Sequence, residues 1–319
     1  MRLYIADFRP GETVEVPLMV ADKRLVPFRD QAKGRYLAVV LVDRTGQIEG
    51  RAWENAERLA GEFEVGDVLR VAGTVEEYRE ARQLRLTALR RLAEGEFELA
   101  DFLPVSARDR REMEGRLDEL LASVRHEGCR AALDAFFGDP EFRRLYCEAP
   151  AAKRIHHNYL GGLLEHSLEV AELVETIAGF TPALRRDLAL TGALLHDIGK
   201  IREYCYRPLI DLTDQGKLLG HTVLGWELLR ERLAAVAGRY PELAVELGHL
   251  ILSHHGELEW GAPVLPQTLE AAAVHYADLL SGRVQQYEQV ALTGESAAPE
   301  AVWSPYDGLL GRSLYLGRR

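Results

Sequence analysis

Residues 163–167 read Leu-Leu-Glu-His-Ser, placing a histidine inside a run that otherwise predicts a buried helix. A single histidine on an apolar helix is ordinarily a core residue with one satisfied hydrogen bond. The rest of the chain argues against that reading for His166. His196 and Asp197 follow in LALTGALLHDIGK (188–200), and His221 stands at a predicted helix start in GHTVLGWELL (220–229). The segment ELAVELGHLILSHHG (242–256) ends in His254-His255-Gly256, and VHYADLL (274–280) sets Asp278 in an apolar helix. Leu247, Leu250 and Ile251 lie three or four residues from one another or from His254, which puts His254 on the buried face.

Each unpaired buried imidazole or carboxylate costs roughly 1–3 kcal/mol or more. Seven of them would exceed a folding stability of about 5–15 kcal/mol unless something satisfies them jointly. A divalent cation does so, and neutral imidazoles with carboxylates suit Fe, Mn, Zn, Ni or Co. Adjacent ligands such as His196 and Asp197 point about 100° apart on a helix. They must therefore straddle an ion near a helix end, and Gly199 offers the break.

The elements that must position these residues divide the chain in two. Residues 10–92 carry strand-like runs at 12–28, 35–43, 47–53, 65–79 and 82–92, with a turn signal DRTG (43–46) and one short helix over 54–63. Five strands with a helix between the third and fourth is the pattern of an OB-fold barrel, which binds single-stranded oligonucleotides through basic and aromatic side chains. Phe28, Lys33, Arg35, Tyr36, Arg51, Trp53, Tyr78 and Arg85 are the candidates for that face, although a small barrel also needs aromatic residues for its core. Residues 96–107 read as a linker, and from Arg108 onward the periodicity is helical, as in 111–124 and 129–137. The expected fold class is thus multidomain, β followed by all-α, with a barrel over 1–95, a linker and leading helices over 96–150, and a helical metal domain over 151–319.

Composition narrows the function classes. The net charge is −11, yet residues 1–95 hold 16 basic and 16 acidic residues, so the acidic surplus lies entirely behind the barrel. A neutral front compatible with nucleic acid and an acidic back compatible with divalent cations suggest two jobs. No run of 18 apolar residues predicts a membrane span, and the first residues lack the apolar core of a signal peptide. Cys129, Cys147 and Cys205 form no CxxC and read as reduced thiols of a cytoplasmic protein.

The ordered series H…HD…H…HH…D resembles the HD-domain metal-dependent phosphohydrolase superfamily. The stretches 149–173, 254–280 and 303–317, with LVDRTGQIEGRAW (41–53), resemble the bacterial OB-fold/HD-domain 3′→5′ exoribonucleases of the YhaM type. The resemblance implies one ion held by His166, His196, Asp197 and Asp278, and a second held by His221, His254 and His255, with Asp197 bridging. Mononuclear HD enzymes lack the middle histidines, so two ions are expected, Mn²⁺ foremost and Fe, Ni, Co, Zn or Mg as substitutes. It also implies removal of nucleotides from the 3′ end of single-stranded RNA, or of single-stranded DNA, with a metal-activated water as nucleophile.

Around this set, Lys200 is within reach of a phosphate oxygen, or else caps a helix end. KRIHHNYLGG (153–162) offers Lys153, Arg154, His156, His157 and Asn158 as phosphate donors, with Gly161 and Gly162 allowing close backbone approach. His275 shares a face with Asp278 one turn away and is expected beside the ligands or facing substrate, as Arg35, Arg51 and Trp53 are on the barrel. Trp260 is placed either to stack on a base or to pack. Two alternatives stand beside the exonuclease: a phosphodiesterase or nucleotidase acting on a small nucleotide or cyclic dinucleotide, and a non-catalytic nucleic-acid-binding regulator. A homo-oligomer is compatible with either domain.

Overall fold

The computed structural model describes residues 3–28, 30, 34–78, 81–153, 157–206, 210–297 and 301–317. The chain divides into two compact units, one comprising Met1–Val105 with Cys205–Ile210 and the other Ser106–Tyr204 with Asp211–Arg319.

The first unit is a closed five-stranded barrel. Its strands are β1 (Thr13–Pro27), β2 (Arg35–Asp43), β3 (Gly46–Ala52), β4 (Val68–Tyr78) and β5 (Ala81–Arg91), joined around the barrel in the order β1-β2-β3-β5-β4. The β3–β5 pairing is parallel and the others are antiparallel. This is the OB-fold, with the short helix α1 (Ala56–Ala60) between β3 and β4. Period-two alternation sends Val16, Leu18, Leu37, Leu41, Leu69, Val71 and Leu84 into the barrel core. The β2–β3 turn is tied by Asp43, whose carboxylate accepts from the backbone N–H of Thr45 at 2.7 Å and of Ile5 at 2.6 Å.

The second unit is helical: α2 (Arg110–Ser123), α3 (Glu127–Phe137), α4 (Pro140–Glu148), α5 (Gly162–Phe180), α6 (Arg186–Leu195), α7 (Lys200–Glu203), α8 (Asp214–Arg232), α9 (Ala234–Arg239), α10 (Pro241–Ser253) and α11 (Leu269–Ala297). Local sequence sets the helix starts. Asp109 caps α2, His126 caps α3, and Asp139 caps α4 with Pro140 in the first turn. One core runs through the unit, with Leu117, Phe136, Phe142, Leu163, Leu194 and Ile251 buried in it. The fully buried Tyr146 donates its hydroxyl to the carbonyl of Leu194 at 2.9 Å, which fixes the end of α6. Among the described residues, no helix is long and apolar enough to cross a membrane. Cys129 and Cys147 are buried free thiols, and Cys205 is exposed.

One close approach determines where the histidines can meet. The turn after α6 runs against α8 so closely that a Cβ on Gly199 would lie 1.9 Å from the carbonyl oxygen of His221 and 2.5 Å from the nitrogen of Gly225. Only a residue without a side chain lets these segments touch. Gly199→Ala is expected to destabilise the helical unit by about 1–3 kcal/mol, read as a lower midpoint in urea denaturation at unchanged slope.

Candidate metal centre and strand-binding face

Five helical segments deliver the candidate ligands. His166 lies in the first turns of α5. His196 and Asp197 follow the last residue of α6, and His254 and His255 follow the last residue of α10. His221 comes directly after Gly220, where the backbone of α8 leaves helical geometry (φ 72°, ψ 159°). Asp278 sits within α11. His166, His196, Asp197 and His254 are each at most 2% exposed.

The ends of α6 and α10 explain why ligands occur there. The last carbonyls of a helix have no intrahelical partner. His196 donates from Nδ1 to the carbonyl of Ala193 at 2.7 Å, and His254 does the same to Ile251 at 2.7 Å. Each ring thereby satisfies an orphan carbonyl and commits its own tautomer, leaving an Nε2 lone pair to point inward. His221 reaches the same state by another route. Its Nδ1 and its backbone N–H both donate to Oε1 of the buried Glu203, at 3.1 and 3.0 Å. His166 uses a relay, in which Nδ1 meets the Ser281 hydroxyl at 3.1 Å and that hydroxyl donates to Glu169 at 2.6 Å.

The inward atoms fall into two groups about one carboxylate. Asp197 Oδ2 lies 3.5 Å from His166 Nε2 and 3.3 Å from His196 Nε2, and Asp278 Oδ1 lies 3.0 Å from His166 Nε2. Asp197 Oδ1 lies 3.4 Å from His221 Nε2 and 3.6 Å from His254 Nε2, while His221 and His255 bring their Nε2 atoms to 3.1 Å. Asp197 Oδ1 and His254 Nε2 are both buried without a hydrogen-bond partner. Orphaned lone-pair atoms of this kind, mixed imidazole and carboxylate, are what a divalent cation satisfies. His166, His196 and Asp197 form one group whose atoms are close enough to hold an ion, and His221, His254 and His255 form another.

The electrostatics favour the ligand form of His254, His255 and both aspartates. Burial, reinforced by the neighbouring His255, pushes His254 well below the ordinary imidazole value. Burial and then His221 push His255 down to about 4. Both rings are therefore neutral near pH 7. Burial alone would raise the Asp197 carboxyl, but Lys200 and His196 outweigh it and hold it far below the usual range. For Asp278 the adjacent imidazoles, His166 first, likewise outweigh burial and hold the carboxyl below its usual range. Lys200, first residue of α7, sets its ammonium 2.5 Å from Asp197 Oδ2 and is itself buried.

The loop before α5 is arranged differently from an open phosphate cradle. Lys153 is exposed and pairs with Asp211 at 2.5 Å. Arg154 and His156, with Lys33 of the barrel, lie outside the described residues. His157 turns inward in a left-handed conformation (φ 55°), is 1% exposed, and faces Glu169 at 3.5 Å and the His166 ring. A ring so placed meets the Glu169 relay rather than a bound strand. Asn158 is half-buried and Gly161 and Gly162 are buried, the carbonyl of His157 filling the space where a Gly162 side chain would go. His275 is buried and donates from Nδ1 to the carbonyl of His254 at 2.7 Å. His249 accepts the backbone N–H of Gln267. Glu203, Glu169 and Ser281 are functional partners that the sequence reading did not single out. The spacing held a signal for two of them, because Glu169 is three residues from His166 and Ser281 three from Asp278.

On the barrel, Phe28, Tyr36 and Trp53 form a contiguous aromatic cluster with ring centroids 4.6–5.9 Å apart. Arg51 lies over both Tyr36 and Tyr78, at 5.9 and 5.8 Å, and is paired in register with Arg85 on β5. Arg35 is exposed at the start of β2. Trp53 and Tyr78 are 40% and 49% exposed, so this cluster is partly a surface and not a core.

Residues 163–283 match the model of the HD domain, and residues 19–92 match the model of the OB-fold nucleic acid binding domain. The chain is thus a two-domain protein in which an OB-fold barrel precedes an HD domain. Its homologues include proteins named 3′-5′ exoribonuclease YhaM. The one from Geobacillus sp. (strain WCH70) is 28% identical over 98% of this chain and 94% of that protein. The one from Listeria monocytogenes (strain CLIP80459) is 27% identical over 91% of each. The second OB-fold domain of replication protein A from Methanococcus maripaludis aligns with 31% of this chain over its whole length, at 24% identity and a TM-score of 0.24.

Ser281→Ala would strip His166 Nδ1 of its acceptor while leaving the His221, His254 and His255 group untouched. Calorimetric titration with Mn²⁺ is expected to show one binding event weakened about 10- to 100-fold and the other unchanged. Two events weakened equally, or neither, would refute the separate anchoring of the two groups.

Proposed function

We propose that this protein is a metal-dependent 3′→5′ exonuclease of single-stranded RNA, its HD domain carrying the chemistry and its barrel holding the strand. The observation that carries this reading is the position of Asp197, whose two oxygens face two separate sets of imidazole nitrogens. His166, His196, Asp197 and Asp278 would hold one divalent cation, and His221, His254, His255 and Asp197 a second. When bound, the pair would supply water activation and positive charge at the phosphate. Manganese suits the mixed nitrogen and oxygen donors.

The residues of the chain supply the rest. Glu203 and the Ser281–Glu169 relay hold His221 and His166 in one tautomer. Lys200 keeps Asp197 ionised, and it lines the cavity beside the ligands, where a phosphate would lie. In the reaction, a water oxygen bonds to the terminal phosphorus and the bond to the preceding ribose O3′ breaks. The departing oxygen takes up a proton, leaving a shortened chain with a 3′-hydroxyl and a nucleoside 5′-monophosphate. On the barrel, Phe28, Tyr36, Trp53 and Tyr78 give sequence-tolerant stacking, and Arg51, which lies over Tyr36 and Tyr78, meets the backbone together with the exposed Arg35. A small-nucleotide phosphodiesterase would have no use for such a face. The free thiols fit a cytoplasmic enzyme.

The direct test is digestion of RNA oligonucleotides carrying a label at either end, with Mn²⁺ present. A 5′-labelled strand is expected to shorten one nucleotide at a time while a 3′ label is released at once as mononucleotide. Asp197→Ala should abolish both. Internal fragments from the first time points, or turnover by the variant, would refute the reading.

Trp53→Ala tests the barrel separately. Loss of one stacking platform should weaken affinity for a long single strand by about 1–3 kcal/mol, while cleavage of a dinucleotide keeps its rate. Equal losses on both substrates would mean that the barrel serves the active site itself.

A further inference from the structure

Above the ligand set lies a cavity of about 420 Å³, with Asp197, Lys200, His254 and His255 on its floor. That volume falls within the range of about 300–1,000 Å³ common for small-molecule sites. It is large enough for one nucleotide and too small for several. Its walls come from sequence that the metal centre does not use. Trp260 stands on the short turn after the His254-His255 pair, and Arg283 and His275 project from α11. Leu309, from the C-terminal residues 301–317, closes another side.

The walls have a directional chemistry. Trp260 is 51% exposed, and its ring centroid lies 6.3 Å from that of His275. Arg283 is exposed and hydrogen-bonded only to Gln286, at 3.1 Å, among its described contacts. His275 is more specific. Its Nδ1 donates to the carbonyl of His254, which makes Nε2 the lone-pair acceptor. The ring is nearly buried at 6% exposure and lines the cavity, yet no described protein group donates to Nε2. It is pressed against Gly256, where the backbone has φ 80° and any Cβ would lie 2.0 Å from the ring. The fold thus gives up a side chain at Gly256 to seat an imidazole whose acceptor has no partner of its own.

We propose that this cavity is the subsite for the single 3′-terminal nucleotide, with Trp260 as the base platform, Arg283 as a charge for the phosphate, and His275 Nε2 as acceptor of the ribose 2′-hydroxyl. An acceptor at that place distinguishes ribose from deoxyribose, because only ribose offers the donor. The subsite rests on the exonuclease reading for its orientation, since the 5′-phosphate of the terminal nucleotide must lie over the ligands. It goes beyond that reading by assigning a sugar preference to one imidazole.

The test uses the full-length protein with Mn²⁺ and two probes, adenosine 5′-monophosphate and its 2′-deoxy counterpart, in calorimetric titration. The ribonucleotide is expected to bind more tightly to the wild-type protein. Trp260→Ala should weaken both probes, roughly five- to one-hundred-fold as for one lost stack. His275→Phe should bring the ratio of the two affinities close to one, a change of roughly three- to tenfold, and His275→Gln, which restores an acceptor, should recover part of it. Metal content is measured in every variant, because His275 also touches the backbone of His254. If the ribonucleotide binds no better than the deoxyribonucleotide, or binds the variants as it binds the wild type, the subsite is overturned. RNA shortening by the same wild-type preparation judges the other reading independently. A protein that shortens RNA but fails the probe test keeps its activity and loses this subsite. One that passes the probe test without shortening RNA keeps the subsite and loses the exonuclease.

Discussion

The buried carboxylate of Asp197 is the constraint on which the helical unit depends. An ionised aspartate at 2% exposure is expensive unless positive charge and hydrogen-bond donors surround it. Lys200 supplies one charge at 2.5 Å, yet it meets only Oδ2. Oδ1 remains without a donor, and burial keeps the nearby His254 ring neutral. The arrangement is incomplete as a salt bridge and complete as a ligand set. Chains of this size fold with margins of about 5–15 kcal/mol, so a carboxylate left half-satisfied implies that a cation belongs to the folded state.

The rest of the unit can be understood as the means of bringing imidazoles to that carboxylate in a fixed tautomer. Ending α6 and α10 at their histidines lets free helix carbonyls hold the Nδ1 atoms, so no extra residues are needed to orient His196 and His254. His221, just after the break at Gly220, and His166, near the start of α5, do not end a helix, so no free C-terminal carbonyl is at hand for either ring. They require Glu203 and Ser281 instead. Gly199 has a parallel role in the backbone, since the turn carrying Asp197 and the segment carrying His221 can converge only where a side chain is missing.

This division sets what could be read from sequence. The barrel was legible because period-two alternation with one intervening helix leaves few alternatives, and the observed strands lie within a few residues of the expected ones. The histidines and aspartates were legible by type, being polar residues where periodicity demands leucine. Their anchors were not, because Glu169, Glu203 and Ser281 are residues that any helix surface carries and only the packing of α5, α7, α8 and α11 reveals their use. The loop at 153–162 shows the opposite difficulty. Its polar residues suggested an open phosphate site, but the left-handed conformation of His157 turns that ring into the interior toward Glu169. Nothing in local sequence distinguishes a histidine facing out from one facing in.

Charge and aromatic surface then divide the recognition of RNA between two kinds of force. The barrel carries no net charge, and its face arginines already have partners: Arg51 pairs with Glu49 at 2.9 Å and Arg85 with Glu76 at 2.8 Å. A phosphate approaching either guanidinium competes with a carboxylate, so the gain from each backbone contact is smaller than for a bare cation. Stacking on Phe28 and Trp53 meets no such competition, because among the described contacts Arg51 lies over Tyr36 and Tyr78 but no cation lies over these two rings. Strand affinity on this barrel should come mainly from base contact. A surface of that kind holds any single strand and passes it along without reading its sequence, which is what an enzyme removing nucleotides one after another requires of the domain that holds its substrate.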